Sequence, residues 1–228
     1  RRGVATARIV YSNAASVLAG DHCLTDAMDL IRTIDPGVAL AEALACVRKL
    51  VDGELLQLET RGKLVLDEAH YRRVCELKTA SLFVWAARAG ARFAGGTEQD
   101  VDRFGEFARD LGVAFQVRDD LLDFVGGERF GKELHEDLRE GRSTLPVILA
   151  AAENPDITKE LEKLDRSAPS DVFELGVGRV ANLVRETSAL EKVGEEVQMR
   201  LQRALALLAA VPASAFRDLL LKQVTALG

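Results

Sequence analysis

Several features that mark particular protein classes are scarce or absent in this sequence. No apolar run reaches the roughly 18 residues that a membrane-spanning helix needs, so no stable membrane anchor is expected. The cysteines are odd in number, three, and form no CxxC pair, which favours reduced thiols in a cytoplasmic protein. The three histidines show no zinc spacing. The formal net charge is −6 and there is no basic stripe, so no nucleic-acid partner is expected.

Proline is also rare, with five residues. The prolines fall at helix starts or in loops, and the spacing of apolar residues between them is helical nearly throughout the chain. No strand pattern, internal repeat or linker interrupts it. The predicted helices span 4–19, 21–33, 37–61, 67–93, 98–125, 143–153, 156–164, 170–176, 178–209 and 213–226. Long apolar helices in a chain of 228 residues pack as a bundle, so we expect one all-α domain over 1–228.

Three aspartates, Asp119, Asp120 and Asp123, interrupt the apolar helix predicted over 98–125. Asp119 and Asp123 are four residues apart and therefore share one helix face. Arg118 points about 100° away from Asp119 and cannot serve both carboxylates. Two interpretations fit this pattern: a solvated acidic face, or carboxylates that hold Mg²⁺, which proteins bind through one or two carboxylates together with substrate phosphates.

Basic residues occur near the aspartates and on a second apolar helix. Lys78 and Thr79 interrupt the helix predicted over 67–93, and Lys132 and Arg142 lie in a glycine-punctuated segment after the aspartates. A buried lysine needs an anion as its partner. A metal ion on one side and lysine or arginine on the other is a common way to bind a diphosphate.

The ordered motifs resemble those of one family over nearly the whole chain. They are RRG at 1–3, NAASVLAGD at 13–21, DGELLQL at 52–58, KTASLF at 78–83, FQVRDDLLDFVG at 115–126 and GKELHEDLREGRSTLP at 131–146. The chain resembles the trans-isoprenyl diphosphate synthases, the polyprenyl synthetase family, and is most similar to medium- and long-chain members of the octaprenyl type.

The resemblance implies an isoprenoid-synthase-like bundle of long antiparallel helices around a central cavity. It also implies a Mg²⁺-dependent prenyltransferase, which condenses an allylic diphosphate such as farnesyl diphosphate with isopentenyl diphosphate to give a longer trans-polyprenyl diphosphate. The family further suggests a homodimer. Neither the preferred allylic primer nor the product length is indicated by the residues present.

The resemblance assigns roles to individual residues. The aspartate-rich motif implies that Asp119, Asp120 and Asp123 hold Mg²⁺. The positions that match the family's diphosphate-binding and loop residues are Lys78, Thr79, Gln116 and Lys132. The substrate-binding arginines are Arg1 for the allylic diphosphate, Arg2 for isopentenyl diphosphate, and Arg142 in the loop.

Some features depart from the family pattern. Arg142 stands where the family usually has lysine, and Gln57 stands where short-chain relatives often carry aspartate. The first aspartate-rich motif, expected immediately before RRG, is not in this chain, so we expect the chain to be part of a longer polypeptide. The alternative function is a non-catalytic, regulatory subunit of a heteromeric prenyl diphosphate synthase. A terpene cyclase or a squalene-synthase-like enzyme on the same fold is a third, weaker alternative.

Overall fold

A computed structural model describes residues 4–35, 37–60, 62–126 and 134–228, and these ranges contain helices and connecting segments but no strand. The all-α prediction is therefore confirmed. The helices are α1 (Ala7–Tyr11), α2 (Asn13–Ile34), α3 (Val38–Glu59), α4 (Glu68–Cys75), a π-helical segment (Glu76–Ala80), α5 (Ser81–Phe93), α6 (Glu98–Val125), α7 (Glu136–Glu140), α8 (Leu145–Glu153), α9 (Pro155–Glu162), α10 (Ser170–Arg185), α11 (Ala189–Ala209) and α12 (Ala215–Thr225). Over the described ranges, none of these helices is long and apolar enough to cross a membrane.

The chain divides into two compact units, Arg1–Arg48 and Lys49–Gly228. In the first unit, α1 packs on α2 and Ser12 connects the two helices. The Ser12 hydroxyl accepts a hydrogen bond from the Ala15 amide and so caps α2. The single domain over 1–228 stays a prediction.

The second unit is built around α6, which packs along α5 and α11. Its start is fixed by a capping box, in which the Thr97 hydroxyl accepts from the Asp100 amide and the Asp100 carboxylate accepts from the Thr97 amide. Val113 and Val117 on α6 and Val193 and Val197 on α11 belong to one buried cluster. Burial of this apolar surface stabilises the packing of the long helices.

A second buried cluster lies beyond the end of α6. Phe124 at the end of α6 packs with Val147 on α8, Ile157 on α9, and Val180 and Val184 on α10. The shorter helices α8, α9 and α10 therefore support the carboxyl-terminal end of α6, where the three aspartates lie.

The sequence predicted several helix boundaries correctly and others wrongly. The predicted helix over 98–125 matches α6, whereas the predicted break between 176 and 178 is wrong because α10 continues through it. A Cβ at Gly176 would lie 2.7 Å from Cδ2 of Leu164, so this glycine permits close packing without ending the helix. The chain turns instead at Ser188, whose amide and hydroxyl both donate to the Glu153 carboxylate.

The amino-terminal prediction also needs correction. The two helices predicted over 4–19 and 21–33 are replaced by a short α1 and a continuous α2, which runs through Gly20. Among the described residues, a Cβ at Gly20 would meet no atom within 4 Å, so this glycine marks neither a turn nor a close contact there. The short helix α7 was not predicted.

Candidate active site

A cavity of about 380 Å³ opens within the second unit. Its walls come from the last turns of α3, from α4 and the π-helical segment, from α6, and from the segment that joins α7 to α8. The predicted residues Lys78, Thr79, Gln116, Asp119 and Asp120 all line it. Arg142 lines the cavity as well. The fold therefore brings most of the predicted site residues together, although Lys78 and Arg142 lie far apart in the sequence.

The π-helical segment presents Lys78 and Thr79 to this cavity. The predicted helix over 67–93 is confirmed, but residues 76–80 form a wider turn inside it. A π turn inserts one residue into a helix and is often found at functional sites. A Cβ at Gly53 would lie 2.7 Å from the Lys78 amide nitrogen, and one at Gly112 would lie 2.9 Å from Cα of Ala80. Both glycines thus allow neighbouring helices to approach the widened turn closely.

The ammonium group of Lys78 contacts two side chains of α3. It lies 2.6 Å from Oε2 of Glu54 and donates a hydrogen bond to Oε1 of Gln57. Lys78 and Glu54 are both substantially exposed in the cavity, with side-chain accessibilities of 40% and 50%. Water therefore screens this ion pair, and a multivalent anion can compete with Glu54 for the lysine.

Thr79 and Gln116 belong to one chain of hydrogen bonds. The Thr79 hydroxyl donates to Oε1 of Gln116 at 2.9 Å, and Nε2 of Gln116 donates to Oδ1 of Asp120 at 2.9 Å. The Tyr71 hydroxyl donates to the other oxygen of Asp120, Oδ2, at 2.6 Å. The chain of hydrogen bonds connects α4, the π-helical segment and α6.

Asp120 is the most deeply buried acid of the site, at 3% exposure. Burial raises the pKa of its carboxyl to about 7, because the charged form loses hydration, while hydrogen bonds from Tyr71 and Gln116 lower the pKa. The nearby Asp137 and Asp119 raise it further by repulsion. A cation in the cavity would favour the ionised carboxylate.

The three aspartates of the motif differ in their surroundings. Asp119 and Asp120 line the cavity, but Asp123 is absent from the described cavity wall. The Asp123 carboxylate accepts hydrogen bonds from the amides of Glu136 and Asp137, at 3.0 and 3.3 Å. Asp123 thus holds the first turn of α7 against the end of α6, which is a structural contribution beside the predicted role in metal binding.

The remaining predicted residues lie at the rim or outside the described ranges. The Arg142 guanidinium donates to Oδ1 of Asp137 at 2.8 Å and also to Glu140. Arg1, Arg2 and Lys132, which were predicted from the sequence, lie outside the described residues.

The described cavity wall carries more acid than base. Six acidic residues line it, namely Glu54, Asp67, Asp119, Asp120, Asp137 and Glu140. Three lysines and arginines accompany them, namely Lys63, Lys78 and Arg142. Such a wall suits a cation and, with the cation in place, an anionic substrate.

Within the described ranges, no three acidic, histidine or cysteine side chains form a metal-binding cluster by themselves. Mg²⁺ needs only one or two carboxylates when water and substrate phosphates complete its shell, so the carboxylates of Asp119 and Asp120 fit this ion.

Two residues of the site were not identified from the sequence. Tyr71 stands seven positions before Lys78 on a helix, a spacing that places both residues on nearly the same face. Glu54 belongs to the DGELLQL motif, but nothing in that motif shows that its carboxylate meets Lys78. The chemistry of each residue becomes evident only from its long-range contact.

Comparisons with known proteins agree with this fold and site. The polyprenyl synthetase family model matches residues 1–175. An octaprenyl diphosphate synthase of Escherichia coli (strain K12) is 34% identical over 227 residues, which cover 97% of this chain and 68% of that protein. A decaprenyl-diphosphate synthase of Dictyostelium discoideum is also 34% identical, over 97% of this chain and 47% of its own length.

Proteins of known structure show the same fold. A Caulobacter crescentus CB15 polyprenyl synthase, crystallised with calcium and isoprenyl diphosphate, has a TM-score of 0.87 and 32% identity over 98% of this chain and 68% of its own.

The helical bundle and its cavity therefore define an enzyme of the polyprenyl synthase class. The chain belongs to the polyprenyl synthetase family. It is a trans-prenyltransferase of the medium- or long-chain group.

Proposed function

We propose that the cavity binds the diphosphate of the allylic substrate together with Mg²⁺, and that isopentenyl diphosphate adds to the allylic carbon there. The observation that carries this proposal is the convergence of Lys78 and Thr79 with Asp119 and Asp120 on one cavity. Basic and hydroxyl groups suit the phosphate oxygens, and the carboxylates suit the metal ion. The Caulobacter crescentus relative, crystallised with calcium and isoprenyl diphosphate, supports the same pairing of ligands.

In the proposed reaction, the bond between the allylic carbon and its diphosphate oxygen breaks, and the double bond of isopentenyl diphosphate attacks that carbon. A proton then passes from the resulting carbocation to the departing pyrophosphate, which restores a double bond in the lengthened product. Lys78 and Thr79 hold the departing diphosphate, and Mg²⁺, when bound, supplies further charge neutralisation. Leu58, Val65 and Val74 form apolar parts of the wall and help to exclude water from the reacting carbon.

The catalytic proposal is favoured over a non-catalytic subunit. A regulatory subunit has no need for a diphosphate-binding lysine, yet Lys78 and the Thr79–Gln116–Asp120 chain are present around the cavity. We also propose that Arg1, Arg2 and Lys132 bind substrate and that Arg142 assists at the rim.

Two further parts of the proposal concern the assembly and its location. We infer a homodimer in the cytoplasm from the family resemblance. The free thiols of Cys23 and Cys75 are compatible with a reducing compartment. Sedimentation equilibrium would test the dimer, and cell fractionation would test the location.

The direct test is synthesis of polyprenyl diphosphate by the complete polypeptide from labelled isopentenyl diphosphate and a series of allylic primers, with and without Mg²⁺. We expect Mg²⁺-dependent product and expect Asp119→Ala to lower turnover by more than about 100-fold without loss of the fold. Asp102→Ala, which removes an exposed aspartate of α6 that is not part of the described cavity wall, is the matched control. Lack of product with every primer, or Asp119→Ala turnover within a few-fold of the unmodified enzyme, would contradict the proposal.

A further inference from the structure

Tyr71 stands at one end of the hydrogen-bond chain that crosses the cavity wall. Its hydroxyl lies 2.6 Å from Oδ2 of Asp120, and the contact joins residues 49 positions apart in the sequence. The other oxygen of Asp120 accepts from Gln116, whose own carbonyl oxygen accepts from Thr79. All four side chains line the cavity.

The burial of this pair shows why the tyrosine hydroxyl matters. Tyr71 is 8% exposed and Asp120 is 3% exposed. A buried carboxylate is costly unless its oxygens receive hydrogen bonds, and a short bond from a hydroxyl to a carboxylate is among the stronger ones. One donor on each oxygen also fixes the plane of the carboxylate. Without the tyrosine hydroxyl, the Asp120 carboxylate would keep Gln116 as its donor but lose the constraint on its second oxygen.

Fixing Asp120 has a consequence for the rest of the chain. The Gln116 amide must direct its nitrogen to Asp120 and its oxygen to Thr79, so the orientation of Asp120 determines which way the amide faces. The amide orientation in turn fixes the Thr79 hydroxyl as a donor to Gln116. This holds the Thr79 side chain in one orientation beside Lys78, with the hydroxyl lone pairs pointing in a defined direction. The hydrogen-bond chain thus links the acidic and basic sides of the cavity.

We propose that Tyr71 is a positioning residue of this prenyltransferase, whose hydroxyl orients Asp120 and, through Gln116, Thr79 for binding of the metal ion and the diphosphate. The inference rests on the proposed binding of these two ligands in the cavity. Tyr71 acts through its neighbours and is assigned no contact with the reacting atoms.

Tyr71→Phe tests this inference, because it removes the hydroxyl and keeps the buried ring. The probes are Mn²⁺ and inorganic pyrophosphate, and the readout is the dissociation constant of Mn²⁺, measured by electron paramagnetic resonance with pyrophosphate in excess. We expect the dissociation constant to rise about tenfold, since a hydrogen bond to a charged group is lost. The KM for the allylic diphosphate should rise by a similar factor, with a smaller change in kcat.

Two controls separate positioning from general stability. Tyr11→Phe makes the same chemical change at an exposed tyrosine of α1 and should leave Mn²⁺ binding unchanged. Val197→Ala removes buried methyl groups of α11 and should lower the melting temperature without weakening Mn²⁺ binding. If Val197→Ala weakens Mn²⁺ binding as much as Tyr71→Phe does, the effect is one of stability and the proposal is wrong.

A double-mutant cycle tests the link through Gln116. If Tyr71 and Thr79 act through one chain, the effects of Tyr71→Phe and Thr79→Val on pyrophosphate affinity will be less than additive. Additive effects would overturn the link, and Mn²⁺ binding by Tyr71→Phe within twofold of the unmodified protein would overturn the positioning role itself. Failure of the unmodified protein to bind Mn²⁺ with pyrophosphate would overturn the proposed function, and this inference with it.

Discussion

The ammonium group of Lys78 lies 2.6 Å from the carboxylate of Glu54, so the lysine expected to bind the diphosphate is paired with an acid of the protein. The pair forms between the π-helical segment and the last turns of α3, and Gln57 accepts a further hydrogen bond from the same ammonium group. A diphosphate that binds Lys78 must therefore compete with Glu54. We therefore expect the affinity for the diphosphate to depend on the charge of Glu54.

Glu54→Gln should strengthen binding of the allylic diphosphate. The substitution removes a competing negative charge, and an exposed ion pair is worth up to about 1 kcal/mol, so we expect the KM to fall by up to about fivefold. Steady-state kinetics with the allylic substrate varied would measure the effect. Glu59→Gln is the matched control, because it neutralises an exposed acid on the same helix that is not part of the cavity wall. A higher KM for Glu54→Gln would show that the acid assists binding.

Asp123 is expected to contribute more to stability than Asp119 does. Asp123 is 5% exposed, and its carboxylate accepts hydrogen bonds from the amides of Glu136 and Asp137. Asp123→Ala leaves these amides without that acceptor, so the free energy of unfolding should fall by about 1–3 kcal/mol. Urea unfolding would measure the loss, with Asp119→Ala as the comparison from the same motif. Equal stabilities of the two variants would argue against this division of roles.

Gly141 should be intolerant of any side chain. Its φ is +69°, and a Cβ would lie 1.5 Å from Nη2 of Arg166. Gly141→Ala should therefore lower the free energy of unfolding by about 1–2 kcal/mol from the left-handed backbone alone, with an added cost from the clash. Gly62→Ala is the matched control, since Gly62 has a φ of +76° and a Cβ added there would meet no atom of the described residues within 4 Å.

The double variant Gly141→Ala/Arg166→Ala separates the two costs in chemical denaturation. Arg166→Ala removes the obstructing guanidinium, together with its hydrogen bond to the carbonyl of Arg139 at 2.9 Å. The combined loss of stability should be smaller than the sum of the two single losses. Strict additivity would mean that the guanidinium moves aside without cost.

The hydrogen bonds of Glu196 imply that the free energy of unfolding depends on pH. Two hydrogen bonds from Arg72, at 2.7 and 2.9 Å, lower the pKa of the Glu196 carboxyl, and Arg200 lowers it further. Because the folded pKa lies below the ordinary value of 4.5, the stabilisation is fully present above that value and is lost as the pH falls through the folded pKa.

The comparison of Glu196→Gln with the unmodified protein tests this dependence. Urea unfolding at neutral pH should show a large difference in the free energy of unfolding, and the difference should shrink once the pH falls below about 4.5. Glu195→Gln removes the same charge from a neighbouring exposed position and is the control. A difference that stays constant down to pH 2 would contradict the assignment.

Much of the fold follows from patterns along the chain. The predicted helix over 98–125 agrees with α6 at both ends, because apolar periodicity and helix caps are local features of the sequence. The break expected near Gly176 was wrong, because the same residue that weakens an isolated helix also lets Leu164 pack closely.

By itself, the sequence determined the helical class, the acidic motif on α6 and the residues that match the family. These depend on residue type and spacing, which a single chain displays. Only the tertiary structure decided that Tyr71 and Gln116 share Asp120, that Asp123 holds the start of α7, and that Lys78 is paired with Glu54. Such contacts join residues from 4 to 49 positions apart, and most of them depend on how separate helices pack, which no local pattern encodes.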